Sequence, residues 1–421
     1  MYRVWSYISD YSLLLISGAL IALIWANIDP DSYHGLVHFV LWTGGPIGAL
    51  ESHDGVTGRV MTLHFLFNDV LMAFFFAIAA KEVWEGIVLR DGALRGRKAL
   101  TPLIATIGGM VGPVAVYLGL ALALGVLGDV HRGWAIPTAT DIAFSYLVGR
   151  VIFGARHPAI GFLLLLAIAD DAGGLAILAI FYPSGEVAPA WLLLSLAGAL
   201  AVYGLANVLP RRLDRGDQER PHSTWMRKRL GFWPWALAGA VSWYGFQMAG
   251  LHPALGLLPI VATIPHAERE FGIFAEEERY QTDLLNTMEH ALKAPVQFVL
   301  FGFGLLNAGV EFSAISEPTW LVLLGLVIGK PIGITLFGWI AAYPLRLGLP
   351  EGMALRDLPV VGFVAAIGFT VALFVASVAF PAGAVQDAAK MGALFSLGSA
   401  VIAIAAGRLF RVSRSVVAPG D

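Results

Sequence analysis

The chain has 421 residues and no cysteine among them, which excludes disulfides, thiolate metal sites and thiol nucleophiles. Charge is scarce too. Asp, Glu, Lys and Arg make up 14% of the residues, against about 25% in an ordinary soluble domain. The net charge is only −3. No basic stripe with interleaved aromatics is present, so a nucleic-acid partner is not expected. A phosphate-cradling GxxxxGK loop is missing as well, which argues against a bound nucleotide. No cofactor is expected.

What the chain has instead is apolar length. Hydrophobic residues reach 57% and the mean hydropathy is +0.74. Twelve apolar runs stand out, near 11–28, 62–88, 100–127, 136–152, 159–182, 189–209, 232–250, 252–264, 290–311, 318–343, 357–380 and 388–410. Runs of this kind cross a hydrocarbon core of about 30 Å as helices. The first run follows a single basic residue, Arg3, and no small-residue cleavage site comes after it, so it reads as a retained helix. The expected fold is an all-α membrane protein forming one integral domain over 1–421. The segment 35–60 is Gly-rich and only partly apolar, and reads as an amphipathic stretch or a small extramembrane hairpin.

The basic residues give an orientation. Cytoplasmic loops hold the excess of Lys and Arg. With the N-terminus inside, 21 of the 27 Lys and Arg fall in cytoplasmic segments, and only Arg59 and Arg132 fall outside. Lys81, Lys293, Lys330 and Lys390 lie within spans or at their ends. A wrong span parity would not produce this asymmetry, so both termini are expected in the cytoplasm, with 210–231 and 265–289 as cytoplasmic loops and 35–60 outside.

Charges in the middle of a span cost at least about 2.5–3.5 kcal/mol each, so those that persist point to function. Asp170 and Asp171 sit at the centre of the 159–182 run, in LAIADDAGGLAI. Two successive carboxylates serve packing badly, because one would satisfy one basic partner. Neighbours on a helix point about 100° apart, so the two flank a cavity edge from different directions. Hard cations take oxygen ligands, and carboxyl groups withdrawn from water can hold either a proton or a cation.

Two further features concern broken helices. In GWAIPTATDIAFS, Pro137, Thr138, Thr140 and Asp141 interrupt a short apolar segment. Freed backbone groups at membrane depth must be buried or line a cavity, and Thr140 and Asp141 place oxygen ligands there. In VVGFVAAIGFTVALF, Gly362, Gly368 and Thr370 interrupt a segment in the other half of the chain. Paired interruptions point to a transporter with internal repeats. Finally, GLVIGKPIGI puts Lys330 at mid-span before Pro331, with Gly325, Gly329 and Gly333 forming a small face that admits a close helix neighbour. Lys330 needs a counter-charge, and Asp170 or Asp171 is the natural candidate.

At these residues the chain resembles the NhaA family of Na+/H+ antiporters. The matching stretches are FNDVLMAFFF (67–76), GWAIPTATDIAF (133–144), LAIADDAGGLAILAIFY (166–182), LLNAGVEF (305–312), IGKPIGITLFGW (328–339) and VVGFVAAIGFTVALFVASVAF (360–380). The resemblance implies inverted-topology repeats with two crossed, broken helices, in a bacterial inner membrane. It implies exchange of Na+, and of Li+, for protons, serving sodium and pH homeostasis, by a homodimer joined through the 35–60 segment. Residue by residue, Asp171 becomes the principal Na+ ligand, Asp170 the partner of Lys330 and a second proton-linked carboxylate, and Thr140 a lesser Na+ ligand. Asp141 and Lys330 compensate the dipoles of the broken helices. Asp69 matches an acidic position of the second span, while Pro137, Gly329, Pro331 and Gly368 support the site. Glu82, Glu289 and His290 correspond to the family's cytoplasmic pH-sensing region. There the chain departs from the family, with Trp84, Glu85 and Gly86 replacing other charges and Lys293 standing where a second histidine is common.

The expected function is therefore secondary antiport with two protons in per Na+ out, and not enzyme catalysis. An intramembrane aspartyl protease needs two aspartates facing one bond, whereas adjacent Asp170 and Asp171 diverge. A Na+-coupled symporter of similar architecture is the alternative, separable by ion-dependent uptake of organic anions. A passive channel is a further rival that saturable exchange would exclude.

Overall fold

The computed structural model describes residues 2–53, 56–88, 94, 96–215, 221–265 and 284–412. The described residues are overwhelmingly helical. In chain order the main elements are α1 (Tyr2–Ile28), α2 (Pro30–Val37), β1 (Val40–Thr43), β2 (Ala49–His53), β3 (Val56–Thr62), α3 (Leu63–Val88) and α4 (Arg97–Ala123). They continue with α5 (Ile142–Phe153), α6 (Pro158–Phe181), α7 (Pro189–Leu213), α8 (Trp233–Ala249), α9 (Leu284–Asn307) and α10 (Glu317–Ala342). The last are α11 (Asp357–Ala365), α12 (Phe369–Ala379) and α13 (Ala384–Leu409).

Six of these helices are long and apolar enough to cross a membrane: α3, α4, α6, α7, α10 and α13. The bent pair α11 and α12 makes a seventh if it is one span. Three shorter apolar helices, Leu14–Ile28, Ile142–Phe153 and Ala294–Asn307, add to them. Among the described residues, helix is thus present in each of the twelve expected runs, but fewer than twelve helices reach spanning length. The weakest run, 252–264, holds only a three-residue turn at Pro253–Leu255 and a short helix at Leu258–Val261. Pro253 and Pro259 account for this, since proline lacks the amide donor that would extend a helix.

The 35–60 segment folds as a small antiparallel sheet in the order β1-β3-β2. β2 and β3 pair antiparallel from His53↔Val56 to Ala49↔Val60, with β1 as a third strand on the other edge of β3. Gly48 must be glycine: its φ is +140°, and a Cβ there would collide with the Val60 backbone. β3 leads directly into α3, whose first turn Thr62 caps by accepting from the Phe65 amide at 3.1 Å.

The chain divides into two compact units. One comprises 34–92 and 178–303, and the other 2–33, 93–177 and 304–421. The first carries the sheet, α7, α8 and an apolar cavity of about 590 Å³ between Trp42, Phe74, Trp235, Trp243 and Met288. Two of these rings offer the cavity no donor, because the Trp243 indole N–H bonds the Asp69 carbonyl at 2.8 Å and that of Trp235 bonds the Thr263 carbonyl at 3.3 Å.

The second unit is built on a close approach of α4 and α10. A side chain at Gly108 or Gly112 would run into the carbonyls of Gly333 and Gly329, and one at Gly333 would run into the Gly108 carbonyl. The small face formed by Gly325, Gly329 and Gly333 therefore meets a matching face on α4, the arrangement that lets membrane helices pack backbone to backbone. Gly325 rests on Pro137, Gly329 on Pro113, and Gly362 on Pro331. This packing fixes the depth and direction of Lys330, the residue that follows Gly329.

Candidate functional site

The site starts from two chain breaks in the second unit. A 3-10 turn over His131–Thr138 ends at Pro137 and Thr138, the chain extends through Ala139, and α5 begins after Asp141. The second break separates α11 from α12, which are bent by 51° relative to each other. The two breaks satisfy one another. The Asp141 amide donates to the Ile367 carbonyl at 2.7 Å, the Thr140 hydroxyl to the Ala365 carbonyl at 3.1 Å, and the Ser145 hydroxyl to the Val364 carbonyl at 2.9 Å. The Gly368 amide finds the Ser396 hydroxyl at 3.3 Å, and a Cβ on Gly368 would press on the Ala139 carbonyl. Buried backbone groups need partners: the first segment supplies donors to the carbonyls of the second, and Ser396 of α13 meets the Gly368 amide.

Asp141 caps α5. Its Oδ1 accepts from the Phe144 amide at 3.1 Å, while Oδ2 accepts from the Thr370 hydroxyl at the start of α12. A carboxylate at a helix N-terminus is favoured by the exposed amides and the macrodipole.

Beside the breaks runs α6, with Asp170 and Asp171 near its middle. Lys330 Nζ lies 2.9 Å from Asp170 Oδ2 and also donates to the Thr138 carbonyl. Lys330 is fully buried and Asp170 only 3% exposed. Asp170 Oδ1 is buried without a hydrogen-bond partner among the described residues, although Thr140 lies beside this carboxyl group. Asp171 is only partly buried. No hydrogen bond to its carboxylate is found among the described residues, and it feels the charges of Asp170, Asp141 and Lys330. Gly173, on the next turn, leaves room for the Met110 side chain.

The arrangement holds one carboxylate by a lysine and leaves its neighbour open. The free Asp170 oxygen, the Asp171 carboxylate and the Thr140 hydroxyl oxygen make an all-oxygen donor set of the kind a hard cation takes. The two carboxyl groups can also take up protons. The 590 Å³ cavity of the first unit offers nothing comparable, since its lining is almost wholly apolar.

Asp170, Asp171, Thr140, Asp141 and Lys330 are therefore neighbours within one unit, with Pro137, Gly329, Pro331 and Gly368 in the packing that surrounds them. Asp69 belongs to the other unit. It lies in a π-helical turn of α3, Leu66–Leu71, with its Oδ1 3.7 Å from His252 Nε2. Glu82 sits on α3 beside Lys81, which lies 3.8 Å from Glu82 and 2.8 Å from Glu85. The side chains of Glu289 and His290 fall outside the described residues. Sequence reasoning placed Thr370 in the second interrupted segment but did not pair it with Asp141, and it missed Ser396. An uncharged hydroxyl in an apolar run gives no signal until the partner break is brought next to it.

A family model described as Na+/H+ antiporter 1 matches residues 5–409. A protein of Jannaschia sp. named Na(+)/H(+) antiporter NhaA is 68% identical over 422 residues, covering 99% of this chain and all of that protein. Proteins of the same name from Desulfitobacterium hafniense and Geobacter sulfurreducens are 46% and 43% identical. They cover 97% and 96% of this chain, and 96% and 97% of their own lengths.

Proposed function

The chain belongs to the Na+/H+ antiporter 1 family, and from that membership we propose that Asp170 and Asp171 form one site which Na+ and protons occupy in turn. It is a multi-pass membrane protein and a sodium/proton antiporter. The observation that carries the site is the pairing of a fully buried lysine with one carboxylate while the adjacent carboxylate stays free of hydrogen bonds among the described residues.

In this reading Asp171 is the principal Na+ ligand, and Asp170 Oδ1 and the Thr140 hydroxyl complete its coordination. When protons arrive from the other side, both carboxylates take them up and Na+ leaves. Asp170 gives up Lys330 on protonation and regains it on release, so its proton is coupled to the ion pair. Asp141 and Lys330 balance the ends of the half-helices that meet at the two breaks, which we read as crossed, broken helices in a twelve-span, inverted-repeat architecture. With two protons moving in per Na+ moving out, one net charge moves inward per cycle. A potential of 100 mV then adds about 2.3 kcal/mol per turnover to Na+ extrusion. Li+, a smaller hard cation, uses the same oxygens.

The orientation proposed is both termini in the cytoplasm of a bacterial inner membrane, with the small sheet outside. β1 is an edge strand with Val40, Leu41 and Trp42 exposed. Such an edge is available for pairing with a second copy, so the sheet is proposed to join a homodimer. Deleting 44–58 should weaken the dimer on native electrophoresis and leave exchange intact, and an unchanged native mass would count against that role. Glu82, Glu289 and His290 are proposed to shape the pH profile.

The reading is tested with the purified protein in proteoliposomes. Adding Na+ outside should drive saturable proton movement, reported by an entrapped pH dye, and a valinomycin-clamped potential should change its rate. Na+ uptake that required an organic anion, and moved no protons, would favour the symporter.

A further inference from the structure

We propose that His34 and His38 form a two-ligand site for a divalent transition-metal ion, Zn2+ or Cu2+, at the entry to the small sheet. The site takes a different class of ion from the oxygen donors of α6, and it stands whether or not those donors are the exchange site.

The spacing comes first. Residues four apart on a helix are neighbours on one face, with Cβ atoms about 5–6 Å apart. Two histidines at that spacing present two imidazoles to one Zn2+ from a single helical turn. Here that turn is closed. The His38 amide donates to the His34 carbonyl at 3.0 Å, so helical hydrogen bonding runs through His38 although α2 itself ends at Val37. The next residue is held as well, because the Leu63 amide, at the start of α3, donates to the Phe39 carbonyl at 2.8 Å. The backbone under both rings is therefore fixed before any ion arrives.

The rings lie where the spacing puts them. Both side chains are exposed. Their ring centroids are 6.4 Å apart and their planes 23° from parallel. A zinc–imidazole bond is about 2.0–2.1 Å long, so a small rotation of the side chains lets one ion meet a nitrogen of each ring. The C-terminal end of a helix also favours a cation. Among the described residues no group of three or more His, Asp or Glu is placed to hold a metal, so water takes the remaining positions of the ion.

The donor atoms select the ion. Neutral imidazole suits Zn2+ and Cu2+, whereas the hard ions Mg2+ and Ca2+ take oxygen ligands. Of the divalent ions of the first transition row, Cu2+ generally binds a given site of this kind most tightly. By bridging His34 and His38 the ion closes the last turn of α2 a second time, just ahead of β1.

The test is a calorimetric titration of the purified full-length chain, stripped with EDTA and free of any histidine tag, with ZnCl2. One strong equivalent per chain is expected, unaffected by excess Mg2+. Removing even an outer-shell partner of a bound metal costs about 10–100-fold in affinity, and a direct ligand no less, so His34→Gln and His38→Gln should each weaken Zn2+ binding roughly tenfold or more. The pair His38→Gln with Phe39→His keeps the number of histidines but moves the second ring off the shared face, and should bind as weakly as the single variants. Zn2+ held as tightly by any of these variants would overturn the proposal, and so would a wild-type chain that binds neither Zn2+ nor Cu2+. Should a variant fail to fold, the Cu2+ electron paramagnetic resonance spectrum of wild type at one equivalent decides: two equatorial nitrogens are expected, and one or none would overturn the site.

Discussion

The two units each bury a lysine against a carboxylate, and the two pairs have nearly the same length. Lys330 lies 2.9 Å from Asp170, and Lys81 lies 2.8 Å from Glu85. Both lysines are at most 1% exposed. Their connectivity differs. Lys81 and Glu85 are one turn apart on α3, so the helix brings them together by its own pitch. Lys330 and Asp170 are 160 residues apart, on α10 and α6, and meet only because α4 and α10 pack glycine to glycine and the first break lends the Thr138 carbonyl. The surroundings differ as well. Asp170 has a buried oxygen without a hydrogen-bond partner among the described residues and is followed directly by Asp171, whereas Glu85 is followed by Gly86 and shares Lys81 with Glu82 one turn back. A buried ion pair by itself is weak evidence for stability or for function. What distinguishes the Lys330 pair is the unsatisfied oxygen chemistry beside it.

The largest effect is expected where that chemistry is removed. Asp171→Asn should abolish Na+/H+ exchange with little change in melting temperature, because the amide keeps the shape but neither carries the ligand charge nor exchanges a proton. Wild-type exchange in proteoliposomes would sink the site assignment and erase the distinction between the two pairs.

Lys330→Ala should come next. Taking one partner from a buried pair costs about 3–5 kcal/mol, so the melting temperature should fall. Asp170 could limit the damage by keeping its proton permanently, and would then stop cycling it. One proton per Na+ would remain, and exchange should lose its response to a potential clamped with valinomycin at several K+ ratios, while wild type keeps that response. An equal response in both would make Lys330 a structural charge, like its counterpart on α3.

What could be read in the sequence follows the cost of each feature. Mid-span charges are expensive, so Asp170, Asp171 and Lys330 declare themselves, and charge balance nominates Asp170 or Asp171 as the partner of Lys330. Pro137 and Asp141 mark one break, and Gly368 the other. Ser396, and the pairing of Thr370 with Asp141, stay silent because a hydroxyl in an apolar helix costs little and its partner is far away in sequence. Strand β1 was hidden for a different reason. Its four residues, VLWT, lie in a partly apolar, Gly-rich stretch and pair with β3 across some twenty residues, which no local pattern reveals. The same limit applies to the spans: apolar length marked twelve runs, yet the prolines of 252–264 leave only short turns there. On α3, Lys81 and Glu82 were visible as charges near a span end, but the inward pairing of Lys81 with Glu85 depends on which face the helix buries.

The smallest effect is expected from removing the α3 pair as a whole. Replacing both members of a buried ion pair with apolar residues of similar volume is often neutral or even stabilising, because the desolvation of two charges is relieved together. The variant Lys81→Met with Glu85→Leu keeps the volume, leaves Glu82 in place, and does not touch α6 or α10. It should therefore fold with a melting temperature at or above that of wild type and should keep voltage-sensitive exchange at saturating Na+. Any change should be confined to the pH at which exchange sets in, because Glu82 loses the lysine 3.8 Å away. The matching replacement at the other pair, Lys330→Met with Asp170→Leu, should give the opposite pattern: the same relief of desolvation could restore the melting temperature, while the voltage response is lost with the second proton-carrying carboxylate. If the α3 double variant instead lost exchange at every pH, its ion pair would belong to the transport machinery, and connectivity would not be what separates the two pairs.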